Sequence, residues 1–460
     1  MGHKIKILKL TRIVIANKPS SEIFIPYFVA LTATLLVFLR MFLGERNYLL
    51  NNIWSEDGLF VMCFEKSSFY SCTFDSYSGY LLFYPRLIAY IVSFFPLGSW
   101  PLANNILYLV VIFLLTYLIF TLLILKYSKY ASALISLSPF ILAISSDQIL
   151  GVHSSLYLIA SAYLVVIIST DLWTLNMRPI QKYSLVVLIF LNSVSTPFGL
   201  IILFVLLVKL AKNINLFQRS KQFVILSILG CLIQFYSIFS ANETRSSLQD
   251  PILVLKNSFN FFIKSVISIF YYPAESRLDD PVFLQQTLVS FLYSNPLLLI
   301  TIGIILFIIP LFLKSTVLIT VQIISLSSWA VLLILLVSSY SFGWPYRFIA
   351  LVSVINIWII INIFESFQNK LIRIFSLTLL TITLALNLSS NFSISSYRSA
   401  GPEWRSEVEK QIEFCTKEEN FVQSVSITFY PNWPTINPHA HGLSEPTTNK
   451  ISCQQILNSL

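Results

Sequence analysis

Two adjacent carboxylates, Glu56 and Asp57, sit in the run Trp54-Ser55-Glu56-Asp57-Gly58, just past the first long apolar stretch of a chain poor in charge. Like charges at that spacing resist ionising together, so the pair suits a base that takes a proton from a hydroxyl nucleophile. Asp57 is the first choice for that role and Glu56 its neighbour or substitute. A leaving phosphate would need a cation, and Arg86 and Arg347 are the natural candidates. Each stands at the end of an apolar segment, and a planar guanidinium matches phosphate better than a point charge does. The same arginines would serve as snorkelling anchors. His153 is a third candidate for phosphate, and its plain alternative is a structural histidine. Arg245 and Arg277 lie in a later polar segment and would add charge. Asp75 and Asp147 suit ligand hydroxyls, and Tyr77, Tyr80, Trp344 and Tyr346 suit stacking on a ring. Trp54 suits stacking as well, and interfacial belts use all five of these aromatics. No Cys/His spacing suggests zinc, and Asp279-Asp280 is too little for a cation site, so no metal is assigned and no cofactor is expected.

The elements that must position these groups follow from composition. Residues are 56% hydrophobic and 11% charged, with mean hydropathy +0.76, far beyond the needs of a soluble domain. The expectation is an all-α polytopic membrane protein. Apolar runs of helical length, about 20 residues where a barrel strand needs about 10, place about 11 transmembrane helices. They lie near 22–43, 102–125, 131–146, 154–170, 183–195, 198–211, 222–240, 296–313, 316–339, 346–364 and 372–388. The net charge of +9 comes from basic residues scattered singly at the ends of these runs, which excludes a nucleic-acid-binding stripe.

Lys4, Lys6, Lys9, Arg12 and Lys18 precede the first run, and alternate loops carry Lys126/Lys129, Arg178/Lys182, Lys209/Lys212/Arg219/Lys221, Lys314 and Lys370/Arg373. By the positive-inside rule the N-terminus is cytoplasmic and the C-terminus is not. Of 21 carboxylates only Glu22, Asp171 and Glu365 then fall inside. The first run is too long, and too deeply preceded by charge, for a cleavable signal peptide. Cys63, Cys72, Cys415 and Cys453 fall outside, where they could pair. Cys63 with Cys72 and Cys415 with Cys453 is one of three connectivities, and Cys231 lies within a span.

This divides the chain into a transmembrane domain, 1–388, and a small α+β periplasmic tail, 389–460, expected to pack on the outer loops. The first outer loop, 44–101, carries the acids, and the second spans 241–295. Within the first, Leu59 to Phe64 and Tyr77 to Tyr90 are aromatic and shorter than a span. Such segments read as interfacial helices that hold the carboxylates at headgroup depth.

The order of these features resembles bacterial membrane glycosyltransferases of the GT-C superfamily. The carriers are the acidic pair, Tyr77-Ser78-Gly79-Tyr80-Leu81 with Pro85-Arg86-Leu87, Asp147-Gln148-Ile149-Leu150-Gly151-Val152-His153, Ser195-Thr196-Pro197-Phe198-Gly199, Pro345-Tyr346-Arg347-Phe348, and Trp404, Cys415 and Pro431-Asn432-Trp433 in the tail. Size and layout are similar to phage-type glucosyltransferases that decorate O-antigen, although relatives often have His-Trp where this chain has His153-Ser154. The resemblance implies a polyprenyl-phosphate-linked sugar donor, a glycan acceptor such as O-antigen, a place in the bacterial inner membrane, and an outer-loop Asp or Glu as base. Independently of it, the inner loops are short and hold neither GxxxxGK[ST] nor GxGxxG, so a nucleotide donor is not expected. A lipid-linked glycan transporter or flippase should carry ionisable residues within its spans, and these spans are nearly free of charge. An O-antigen polymerase or ligase should concentrate its acid and arginines in a large late loop.

Overall fold

The structure, a computed structural model, describes residues 20–43, 50, 53, 55–75, 81–142, 150–175, 177–196, 198–212, 215–240, 347–365, 367–390, 392, 403–417, 423–427 and 450–458. In chain order its helices are α1 Ser20–Phe42, α2 Ser55–Lys66, α3 Phe69–Phe74, α4 Phe83–Ser93, α5 Trp100–Leu123, α6 Lys129–Ile141, α7 His153–Ser169, α8 Pro179–Ser195, α9 Gly199–Lys212, α10 Asn215–Ser240, α11 Arg347–Glu365, α12 Lys370–Ser390, α13 Trp404–Cys415 and α14 Cys453–Asn458. Two three-residue strands, β1 Ser424–Ser426 and β2 Lys450–Ser452, pair antiparallel with Val425 opposite Ile451. Every expected span within the described residues meets a helix, while 296–313 and 316–339 lie outside them.

Among the described residues, three helices are long and apolar enough to cross a bilayer: Phe24–Phe42, Leu97–Leu123 and Lys370–Ser389. On α1 the outward residues Phe24, Phe28, Leu31 and Leu35 are all exposed at helical spacing, a stripe suited to lipid. Helix α7 differs. Every residue from His153 to Ser169 is buried, and α2, α4, α5, α8, α9 and α11 all pack against it. At ~1.5 Å per residue its 17 residues reach about 25 Å, short of the ~30 Å hydrocarbon core. A helix sheathed by other helices need not match the bilayer, so its ends can carry polar chemistry.

Close approach is built in where the chain turns. A Cβ on Gly199 would lie 2.5 Å from Ser193 Cα, and one on Gly230 would lie 2.5 Å from Ser193 Cβ, so α8, α9 and α10 meet at glycines. Gly151, with φ +72°, makes the turn into α7, and a Cβ there would also strike Met41.

The first loop and the tail share one end of the bundle. Cys63 is bonded to Cys72 and Cys415 to Cys453, which selects one of the three connectivities, and Cys231 is buried in α10. Trp404 Nε1 donates to the Leu97 carbonyl at 2.9 Å and stacks on Trp100, and Gln455 Nε2 donates to the Glu65 carbonyl at 2.8 Å. α2 is not a helix with one wet face over its first half, because Glu56 to Met62 are buried in succession against α4. Further along, Tyr70, Phe74, Ile91, Phe94 and Phe95 form the exposed aromatic and apolar edge of α3 and α4.

Candidate functional site

The first turn of α7 has four backbone N–H groups to satisfy, and its N-cap, Val152, offers no side-chain acceptor. The acceptor arrives from a residue 96 positions earlier. Asp57 Oδ2 accepts the His153 N–H at 2.8 Å and Oδ1 accepts the Ser154 N–H at 2.9 Å. Ser154 Oγ donates in turn to Glu56 Oε2 at 2.8 Å. Both carboxylates are buried, Asp57 at 2% and Glu56 at 6% exposure. Bonds from main-chain donors to a carboxylate at a helix N-terminus are charge-assisted, about 1.5–3 kcal/mol each. The positive end of the helix dipole adds to them.

His153 is enclosed. A carbonyl can only accept, so Nε2 carries the proton and donates it to the Asn104 carbonyl at 2.9 Å, leaving Nδ1 to face Tyr84 Oη at 3.0 Å. Burial, then Tyr108, then the charge of Asp57 push the Tyr84 phenol well above its usual value, so Tyr84 stays an O–H donor at working pH. The imidazole is thereby held neutral between a donor and an acceptor. Its ring edge also meets Tyr108.

Arg86, on α4 two residues past Tyr84, is 3% exposed. Its guanidinium lies 4.7 Å over the Phe60 ring and donates to the Cys72 carbonyl, next to the Cys63–Cys72 disulfide. The acid pair and the arginine therefore belong to two helices, α2 and α4, packed directly on each other.

Of the residues singled out in the sequence, the structure brings together Glu56, Asp57, His153 and, through Phe60 and Tyr84 on their helices, Arg86. Asp75 is exposed and ends α3, its N–H donating to the Ser71 carbonyl. Arg347 opens α11, and Tyr77, Tyr80, Asp147, Trp344 and Tyr346 lie outside the described residues. Among the described residues no group of three or more His, Cys, Asp or Glu could hold a metal ion.

Ser154, Tyr84 and Asn104 escaped sequence reasoning as site residues. Tyr84 and Asn104 look like ordinary interface and helix residues, and Ser154 drew notice only as a departure from the His-Trp of the resembling enzymes. Arg40 was missed as well. It is fully buried at the end of α1 and donates to the carbonyls of Phe140 at 2.9 Å, Leu142 at 3.3 Å and Phe392 at 3.4 Å, closing the C-terminus of α6. The chain matches no family model, no curated protein and no solved structure.

Proposed function

We propose that this chain is a membrane glycosyltransferase that moves a hexose, glucose being the leading case, from a polyprenyl-phosphate carrier to a hydroxyl of a surface glycan such as O-antigen. The observation that carries the reading is the buried acid pair fastened to the start of α7 beside the arginine-bearing helix α4. Apolar helices supply a lipid setting, and the exposed aromatics Tyr70 and Phe74 on α3 and Phe94 just past α4 suit the headgroup depth where a polyprenyl phosphate presents its sugar.

In the proposed reaction a carboxylate takes the acceptor hydroxyl's proton as the oxygen attacks the anomeric carbon. The bond to the phosphate oxygen breaks on the opposite face, giving inversion through an oxocarbenium-like state. Glu56 fits the base better than Asp57. Both Asp57 oxygens accept main-chain N–H groups that cannot rotate away, whereas Ser154 Oγ–H on Glu56 can turn aside for a substrate hydroxyl. Asp57 then positions the pair, His153 and Tyr84 brace α7 against α4, and Arg86 faces the departing phosphate. Arg347 and the aromatics Tyr77, Tyr80, Trp344 and Tyr346, with Asp75 and Asp147, complete the proposed donor and acceptor contacts.

The topology belongs to the same proposal: about eleven spans, the N-terminus cytoplasmic, and the acid loop and tail on the periplasmic face of the inner membrane. Docking of the tail on Glu65 and Leu97 supports it, since the tail then shares a side with the loop that follows the first span. The deciding measurement is hexose transfer in vitro from synthetic polyprenyl-phosphate hexose. Glu56→Gln should lose transfer while keeping its fold, because Ser154 can accept from the new amide. Full transfer by that variant removes Glu56 as base, and a reporter fused after residue 460 that reads as cytoplasmic overturns the topology.

A further inference from the structure

Gln234 is a buried amide on the apolar helix α10, 2% exposed. Its oxygen accepts the Leu81 N–H at 3.0 Å, while its nitrogen donates to the Leu81 carbonyl at 2.7 Å and to the Val194 carbonyl at 2.8 Å. Both donors of the amide are thus used, and one residue has both its N–H and its C=O paired. That is what a neighbouring strand does for a strand residue, here performed by a side chain.

Leu81 stands two residues before α4. The N-cap of α4, Leu82, offers no side-chain acceptor, and the Tyr84 N–H donates instead to Ser195 Oγ at 2.8 Å. Val194 and Ser195 end α8, at the junction where Gly199 and Gly230 admit Ser193 without room for a Cβ. Gln234 lies one helical turn beyond Gly230 on the same face of α10. A saddle built by α8, α9 and α10 therefore grips the start of α4 at two points. Tyr84 reaches His153 from that start, and Arg86 follows two residues later.

We infer that Gln234 and Ser195 are positioning residues of the candidate site. They fix the depth and rotation of α4 so that Tyr84 meets His153 at the capped end of α7 and Arg86 lies over Phe60. This assigns a role to Ser195, the last residue of α8, as part of the seat of α4. Its catalytic meaning rests on the proposed transferase reading, but the placement of α4 stands on its own geometry.

The test follows the ring nitrogens of His153 in the full chain, labelled with 15N-histidine in detergent micelles and assigned by the signal lost in His153→Gln. Gln234→Leu keeps the volume and removes all three bonds. It should move the Nδ1 resonance away from its hydrogen-bonded position and lower hexose transfer. Ser195→Ala should do the same more weakly, and Ser195→Thr, which keeps the hydroxyl, should restore both. A general loss of stability would reduce the folded fraction without shifting the native resonance. An unmoved Nδ1 resonance in folded Gln234→Leu overturns the inference. If that variant does not fold, an unmoved resonance in Ser195→Ala overturns it equally. Absence of transfer in the unaltered protein would sink the transferase reading and leave the resonance to decide the placement.

Discussion

The two ends of α7 carry opposite charges in opposite surroundings. At the start, Asp57 and Glu56 are buried and accept hydrogen bonds from His153 and Ser154 of the helix itself. At the finish, Lys126 Nζ donates to the Thr170 carbonyl at 2.8 Å and Lys209 pairs with Asp171 at 3.0 Å, where the Asp171 side chain is 46% exposed. Both ends answer the helix dipole, anions at the amino end and cations at the carboxyl end. Only the first buries both of its paired side chains, since at the second Lys209 is buried while Asp171 is 46% exposed. A cation beside a helix end that opens to water at Asp171 is ordinary anchoring. A carboxylate pair held dry at the helix start, Asp57 by two backbone donors and Glu56 by the Ser154 hydroxyl, keeps a defined geometry, which is what a base requires.

The sharpest way to break this comparison is to neutralise each end in turn. Glu56→Gln should reduce hexose transfer by about 10²–10⁴-fold, the usual worth of a positioned base. Lys209→Met should leave it at the unaltered rate. Equal losses would mean that both ends act only through the fold, and the amino end would lose its claim to chemistry.

Next in size is stability. Asp57→Ala leaves two buried N–H groups of α7 without their acceptor, at about 1–3 kcal/mol each, and should lower the thermal midpoint in detergent well below that of Lys209→Met. A midpoint for Asp57→Ala equal to the unaltered protein's would show that the cap contributes nothing to the fold.

This asymmetry was only partly legible in the sequence. Helix positions within the described residues were, because apolar runs of span length leave little choice where every backbone group must be satisfied within the segment. The acid pair was legible too, being conspicuous beside an apolar run. Its partner was not. The cap joins Asp57 to a helix that starts at His153, with a valine where a local cap would stand, and nothing in local spacing signals a contact across 96 residues. Arg40 and Gln234 were hidden for a related reason. A single polar residue in an apolar helix looks the same whether it snorkels or grips a neighbouring carbonyl, and only the packing of α1 on α6, or of α10 on Leu81, tells them apart. The mixed sequence of α2 suggests an interfacial helix, but α4 covers its first half, and Glu56 and Asp57 turn to α7.

The dry end should also carry its own pH signature. The Tyr84 phenol, pushed up by burial, Tyr108 and Asp57, keeps its proton in the folded protein when an unfolded chain would lose it near pH ~10. Below that pH both states hold the proton and Tyr84 adds no slope. Above it the unfolded state binds fewer protons than the folded one, so stability falls as pH rises. Tyr84→Phe should flatten that alkaline decline in a denaturation series run in micelles, and an identical slope would place the phenol in contact with water.

The smallest effect belongs to the wet end. The Lys209–Asp171 pair sets a buried lysine against an aspartate that is 46% exposed, so water screens it from one side, and its loss should cost about 1 kcal/mol and shrink with added salt. Burial holds the Lys126 ammonium below its usual range, the neighbouring Lys209 adds to that, and Asp171 opposes it. Removing Lys209 therefore relieves Lys126 of a like charge while it costs Asp171 a partner. The two changes offset, and the midpoint of Lys209→Met should move little at either low or high salt. A large, salt-insensitive loss would mean that this end is as dry as the other, and that burial does not distinguish the carboxylates from ordinary helix caps.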